Sequence, residues 1–103
     1  MTDTLEQVSF RMILHGGSAR SLAYEAFELA IGGDFAGARA KLKEAEQELG
    51  ASHSEQMDLI QKEAQGQGVS PTMLLIHAQD HLMTAMAEVN LVERLIRVLE
   101  VRR

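Results

Sequence analysis

Apolar residues recur along nearly the whole chain at spacings of three and four, and nowhere alternate with polar ones for long enough to suggest a strand. The first series is Leu5, Val8, Met12, His15, Ala19, Leu22, Ala26 and Leu29, which predicts an amphipathic helix. "TLEQ" (Thr4 to Gln7) has capping-box form at its start. Gly16-Gly17 lies inside the series and weakens it by roughly 1 kcal/mol per glycine relative to alanine, so a kink or a close helix approach is expected there. Gly32-Gly33 reads as a stop and Asp34 as the N-cap of a second helix. That helix carries Phe35, Ala38, Leu42, Ala45, Leu49, Ser52, Gln56 and Leu59, a seam that turns polar at Ser52 and Gln56. Glycines after Gln65 end it, and Ser70-Pro71 predicts a serine N-cap with proline at the first position of a third helix.

The third helix has two stripes. Leu75, Ala78, Leu82, Ala85, Val89, Val92, Ile96 and Leu99 form an unbroken apolar seam. A second series, Met73, His77, Asp80, Thr84, Ala87, Leu91 and Val98, runs about 200° around from the first at about 100° per residue. A helix with two nearly opposite faces suited to burial belongs in the middle of an assembly. One seam serves a three-helix core, and the other calls for a second surface, supplied most simply by copies of the same chain. The expected fold is all-α, an up-down-up antiparallel three-helix bundle forming one domain over residues 1–103.

Composition narrows the function more by exclusion than by suggestion. Lys plus Arg number 10 against 15 Asp plus Glu, a formal charge of -5, with no basic run beyond Arg102-Arg103, which argues against nucleic-acid binding. There is no cysteine, so disulfides, thiolate nucleophiles and sulfur-ligated zinc are excluded. "MTDTLEQVSF" lacks the basic and apolar regions of a signal peptide, and no apolar run reaches membrane-spanning length. A cytoplasmic protein is expected. The charge run "KLKEAEQE" is a solvated helix face.

The chemistry is concentrated in "MLLIHAQDHLM", Met73 to Met83, where His77, Asp80 and His81 interrupt an apolar run. Offsets of three and four bring these side chains within one arc of a helix. Histidines on helices are mostly ordinary surface or core residues, and His15 and His53, on the helix seams, are expected to pack or hydrogen-bond. Met73, Met83 and Met86 are expected as core or interface filler. An aspartate three residues after one histidine and adjacent to another is less ordinary, because burying an unpaired carboxylate is very costly. Two readings fit. His77, Asp80 and His81 are metal ligands, though Ala78 stands where a zinc peptidase places its general-base glutamate. Alternatively one imidazole is a nucleophile toward phosphorus, with a neighbouring carboxylate setting its tautomer. The residues alone leave both open.

"HAQDHLMTA" (His77 to Ala85) resembles the phosphorylation-site signature of the enzyme IIA component of the lactose/cellobiose-type sugar phosphotransferase system. "GSARSLAYEAF", "GDFAGARAKLKEAEQEL", "SHSEQMDLIQKEA" and "VERLIRVLE" extend the resemblance over essentially the whole chain, and His53 belongs to its His-x-x-Gln pattern. Met57 departs from it, standing where the family often has a small hydroxyl residue. The resemblance implies a phosphocarrier, a phosphotransferase component and not a complete enzyme. It would accept a phosphoryl group from the phosphohistidine of HPr and deliver it to a cysteine of the cognate IIB. The membrane component IIC then couples transfer to uptake of a β-linked disaccharide. Residue by residue, it implies His77 as phospho-acceptor, His81 and Gln79 as supporting residues, and Asp80 as a ligand of one magnesium ion on the axis of a homotrimer. Gln79 is about 200° from His77 on its helix, so its role is expected toward a neighbouring subunit. Three Asp80 carboxylates on one axis would repel by on the order of 4 kcal/mol per pair at about 4 Å and a dielectric near 20, which a hard cation relieves. The competing expectation is a helical metal-binding or adaptor oligomer without phosphotransfer. Nothing on the chain resembles a sugar pocket.

Overall fold

The helix boundaries follow from hydrogen bonds that the local sequence supplies. The computed structural model describes residues 3–102, and all its regular structure is helical: α1 (Leu5–Ile31), α2 (Phe35–Ala64) and α3 (Met73–Arg102). Thr4 Oγ1 accepts from the Gln7 amide at 3.1 Å and Gln7 Oε1 accepts from the Thr4 amide at 2.9 Å, the expected capping box. At the other end of α1 the Asp34 amide donates to Leu29 O at 2.9 Å and the Gly33 amide to Ala30 O at 3.0 Å. Gly33 makes this possible at φ 92°, where a Cβ is disfavoured. Asp34 then caps α2, its carboxylate accepting from the Gly37 amide at 2.8 Å. One aspartate thus closes one helix and opens the next, so the turn needs only three residues.

The start of α3 departs from the expectation of a Ser70 cap. Thr72 is the N-cap: its hydroxyl accepts from the Leu75 amide at 3.0 Å and its carbonyl from the Ile76 amide at 3.0 Å. Pro71 precedes the cap and lines the same cleft as Ile76, a staple-like pair across the helix start. Starting at Thr72 brings Leu75, the first buried residue, into register at the capped amide. Thr72→Ala is expected to cost about 1 kcal/mol and so lower the melting temperature by roughly 4–8 °C, while Ser70→Ala leaves it unchanged. Thermal melts of the two variants check this.

Cross-helix pairs establish the topology. Arg11–Glu55, His15–Glu48 and Glu25–Lys41 run in opposite order along α1 and α2. Gln56–Gln79 and Arg39–Glu100 do the same for α2 and α3, while Arg20 on α1 meets Thr84 and Glu88 on α3 in parallel. The bundle is up-down-up, with extents of 52 × 22 × 21 Å. Among the described residues no helix is long and apolar enough to cross a membrane.

The buried seam of α3 is the expected one, Leu75 through Ile96, with Leu99 half-buried at its end. The seam of α1 keeps Met12, Ala19 and Ala26 as expected, but its alternate positions shift by one residue. Its buried residues are Ser9, Met12, Gly16, Ala19, Ala23, Ala26 and Ala30, whereas Leu5, Val8, His15, Leu22 and Leu29 are half-buried. Small residues at seven-residue spacing take the centre because α1 approaches both neighbours closely, and the larger side chains close the flanks. The polar turns of the α2 seam are also explained. Ser52 Oγ donates to Met12 O at 3.0 Å across the core, and the Gln56 side-chain amide donates to Gln79. Both are buried polar groups that another helix satisfies.

Candidate functional site

On α3, Ala78 and Leu82 are fully buried against Met12 and Leu75, and this anchoring turns His77 and Asp80 outward. His77, Asp80, Thr84 and Ala87 lie exposed along one face, and the same face carries Met73 at 80% exposure, Leu91 at 57% and Val98 at 54%. A polar band set between apolar residues, all uncovered in the single chain, is the second stripe expected from sequence.

His77 and His81, four residues apart, meet edge to face with ring centroids 4.5 Å apart and an interplanar angle of 87°. Their Nε2 atoms are 3.1 Å apart, a hydrogen bond whose direction depends on tautomer. The far nitrogen of His81, Nδ1, is buried without a hydrogen-bond partner. A proton there would be an orphaned buried donor, which favours the tautomer with its proton on Nε2, directed at His77. Burial lowers the His81 proton affinity below the ordinary histidine value, and the charges of His77 and Arg20 lower it further against the opposing pull of Asp80. A neutral His81 donating from Nε2 leaves His77 with its proton on Nδ1 and a lone pair on Nε2. In that tautomer His81 is the hydrogen-bond partner of the His77 ring.

Asp80 points to the exposed side of the same turn, and its backbone carbonyl accepts from Thr84 Oγ1 at 2.7 Å. Among the described residues no group of three His, Asp or Glu side chains in one chain is arranged to hold a metal ion. His77, Asp80 and His81 thus do not form a self-contained metal centre. A single exposed carboxylate offers hard oxygen ligands suited to magnesium only if other chains supply more of them.

Gln79 is half-buried on the α2 side of the helix, bonded to Gln56 and remote from the His77 ring face. The side chain that the sequence separated from His77 by angle is separated in the fold as well. With its oxygen taken by Gln56, the Gln79 amide presents N–H donors. It sits at the floor of a mostly apolar cleft of about 240 Å³, also lined by Leu59, Val69 and Ile76. His15 Nδ1 bonds Glu48 Oε2 at 2.5 Å, as a histidine on a helix seam is expected to. His53 is exposed, away from the seam assigned to it, because Ser52 takes the buried position beside it. Met57 is half-buried on the outer surface of α2, beside Ala51 and Asp58, and does not adjoin the histidine pair.

Residues of α1 also shape the site: Gly16, where a close helix approach is expected from sequence, and Arg20 and Tyr24, to which the sequence gives no role. Gly16 is buried where α1 crosses the histidine turn, and a Cβ placed on it would lie 3.4 Å from the His81 carbonyl oxygen. Arg20 Nε donates to Glu88 Oε2 at 2.6 Å and its Nη2 donates to Thr84 Oγ1. Tyr24 donates its hydroxyl to the same Glu88 oxygen at 2.8 Å, which holds the phenol above its usual range. The one sequence signal for Arg20 is position: it is four residues after Gly16, on the α1 turn next along the bundle.

Residues 7–100 match the family described as PTS system, Lactose/Cellobiose specific IIA subunit. The lichenan-specific phosphotransferase enzyme IIA component of Bacillus subtilis is 45% identical over 100 residues, covering 97% of this chain and 91% of that one. The crystal structure of the PTS cellobiose-specific enzyme IIA from Bacillus anthracis superposes with a TM-score of 0.89 at 40% identity, covering 97% of this chain and 92% of that one. The IIA(Chitobiose) in complex with HPr, from the Escherichia coli phosphotransferase system, superposes with a TM-score of 0.82 at 38% identity, each chain covered to 96%.

Proposed function

The chain belongs to the lactose/cellobiose-specific IIA family of sugar phosphotransferase systems, and from that premise we propose that it is a phosphocarrier whose His77 accepts a phosphoryl group from phospho-HPr and passes it to a cysteine of a cognate IIB. The observation that carries this is the 3.1 Å contact between the two Nε2 atoms on an exposed, uncovered face. It leaves His77 with a nucleophilic lone pair and places an N–H donor where phosphoryl oxygens will stand.

In the transfer, His77 Nε2 attacks phosphorus as the donor's N–P bond breaks. His81 shifts its Nε2–H from the His77 nitrogen to a phosphoryl oxygen, stabilising charge where it develops. The proton on His77 Nδ1 leaves to solvent, and the donor imidazole takes one up as it regains its lone pair. Atoms and charge therefore balance without a co-reactant. Onward transfer reverses these steps toward a thiolate on IIB. The formation of a IIA(Chitobiose)–HPr complex by a relative supports HPr as the donor. The protein acts at the cytoplasmic side, with a membrane IIC served indirectly.

The assembly belongs to the same proposal. The uncovered face of α3 suits a homotrimer in which three chains bring Asp80 together on an axis and Gln79 lines a neighbour's site. Three carboxylates from three chains would then hold one Mg2+, whose charge offsets their mutual repulsion. Asp80→Leu replaces that repulsion with apolar contact. Its expected result is loss of axial metal and an altered melting temperature, by on the order of several degrees, read by metal analysis and thermal melting of the purified oligomer. Unchanged sedimentation, metal content and melting would remove Asp80 from the axis.

The function itself is tested by intact-mass spectrometry at neutral to alkaline pH after incubation with phosphoenolpyruvate, enzyme I and HPr. One acid-labile phosphoryl group per chain is expected. No labelling by a competent HPr, together with tight transition-metal binding, would favour a metal-binding adaptor instead.

A further inference from the structure

We propose that Arg20 is a positioning residue of the phosphoryl site, its guanidinium held beside the histidine pair to balance the charge that arrives with the phosphoryl group. This rests on the phosphocarrier reading and adds a residue from a different helix to it.

A phosphoryl group brings roughly two negative charges at neutral pH. The receiving face already carries Asp80, so transfer onto it builds like charge in one place. Other cations are engaged elsewhere: Lys41 pairs with Glu25 and Glu44, and Arg94 donates to the Asn90 carbonyl. Arg11 bonds Asp3 and Glu55 toward the start of α1, and Lys62 pairs with Asp58 on the outside of α2. Arg39 and Arg97 meet Glu93 in the distal half of α3. Among the described residues, Arg20 is the cation bonded to the histidine turn. Its Nη2 donates to Thr84 Oγ1, and that hydroxyl donates in turn to the Asp80 carbonyl at 2.7 Å and lies 3.3 Å from the His81 carbonyl.

The guanidinium is also held in one plane. Nε donates to Glu88 while Nη2 donates to Thr84, a two-point grip on a side chain only 25% exposed. Such a fork is organised before the charge arrives and needs no rearrangement when it does. Glu88 Oε2 accepts from both Arg20 Nε and the Tyr24 hydroxyl, which fixes the carboxylate as well as the guanidinium.

The test compares Arg20→Gln, Arg20→Lys and Glu88→Gln in single-turnover transfer from phospho-HPr, with melting temperatures recorded in parallel. Arg20→Gln is expected to slow transfer at saturating phospho-HPr by about tenfold or more, with half-saturation little changed. Arg20→Lys is expected to recover part of the rate, because an ammonium restores charge but not the two-point fork. Glu88→Gln, which removes only the opposing charge, is expected to transfer at least as fast as the parent. Equal slowing in Arg20→Gln and Glu88→Gln would reduce the pair to a structural ion pair, and an unaltered rate in Arg20→Gln would remove Arg20 from the site. Should Arg20→Gln not fold, Arg20→Lys against Glu88→Gln carries the same contrast. A parent labelled at His77 with indifferent variants overturns this inference alone. A parent that is not labelled overturns the phosphocarrier reading and this inference with it.

Discussion

Replacing His77 with alanine is expected to abolish phosphorylation by phosphoenolpyruvate, enzyme I and HPr while leaving helix content and melting temperature where they were. The two halves of this expectation have separate causes. The His77 ring is exposed on α3 and its recorded contact is with His81, so its removal opens no cavity in a core built on Ala78 and Leu82. Phosphotransfer, by contrast, loses its nucleophile, and no neighbouring group replaces it. In the adjacent imidazole, His81, Nδ1 is buried and Nε2 faces His77. His81→Gln should therefore behave differently. It keeps the nucleophile but loses the imidazole donor and the tautomer control, for an expected slowing of about 10² to 10⁴ with the label still on His77. Intact-mass spectrometry with peptide mapping at alkaline pH distinguishes the cases. A phosphoryl group retained in His77→Ala, or mapped to His81 in the parent, would overturn the assignment.

Most of this architecture was legible because large apolar residues mark α3 without ambiguity. Leu75, Leu82, Val89, Val92 and Ile96 state a seam that no other arrangement buries, and the structure uses all of them. The same rule misled on α1. There Met12 is buried as expected, but Val8, Leu22 and Leu29 flank the interface while Ser9, Gly16 and Ala23 occupy its centre, because close approach between helices rewards small volume over hydrophobicity. Periodicity weighted by hydrophobicity places alternate positions of such a seam one residue away from their true line. The cap of α3 was missed for a related reason. Serine before proline is a strong local signal, but Thr72 lies three residues before the amide of Leu75, and burial of Leu75 selects the register. On the site, spacing brought His77 and His81 together and separated Gln79. Spacing within one helix says nothing about what another helix delivers, and so Arg20, Glu88's partner from α1, had no signal strong enough to find it.

The crossing at Gly16 joins fold stability to the site, and Gly16→Leu is expected to damage both. Gly16 is buried, and a Cβ there would stand 3.4 Å from the carbonyl oxygen of His81 and 3.7 Å from the amide nitrogen of Leu82. These are backbone atoms of a helix and do not rotate away as a side-chain end would. Alanine at this position gains about 1 kcal/mol of helix propensity but spends it on a contact at the tight edge of van der Waals distance, so Gly16→Ala should be close to neutral. Gly17 supplies the control, since a Cβ there meets nothing within 4 Å in the chain, and Gly17→Ala should stabilise by about 1 kcal/mol. Leucine at Gly16 has no such accommodation. Its branched carbons would have to occupy the space of the α3 backbone, so the helices must part. An overpacking cost of about 3 kcal/mol or more is expected, lowering the melting temperature by on the order of 12 °C or more. Because the displaced carbonyl is that of His81, the histidine turn moves with it. Transfer should then fall further than in Val92→Ala, which removes core volume at the distant end of α3 where Val92 packs with Ile96. Equal losses of transfer rate in Gly16→Leu and Val92→Ala, once matched for stability, would mean that the crossing supports the fold and leaves the histidine pair untouched.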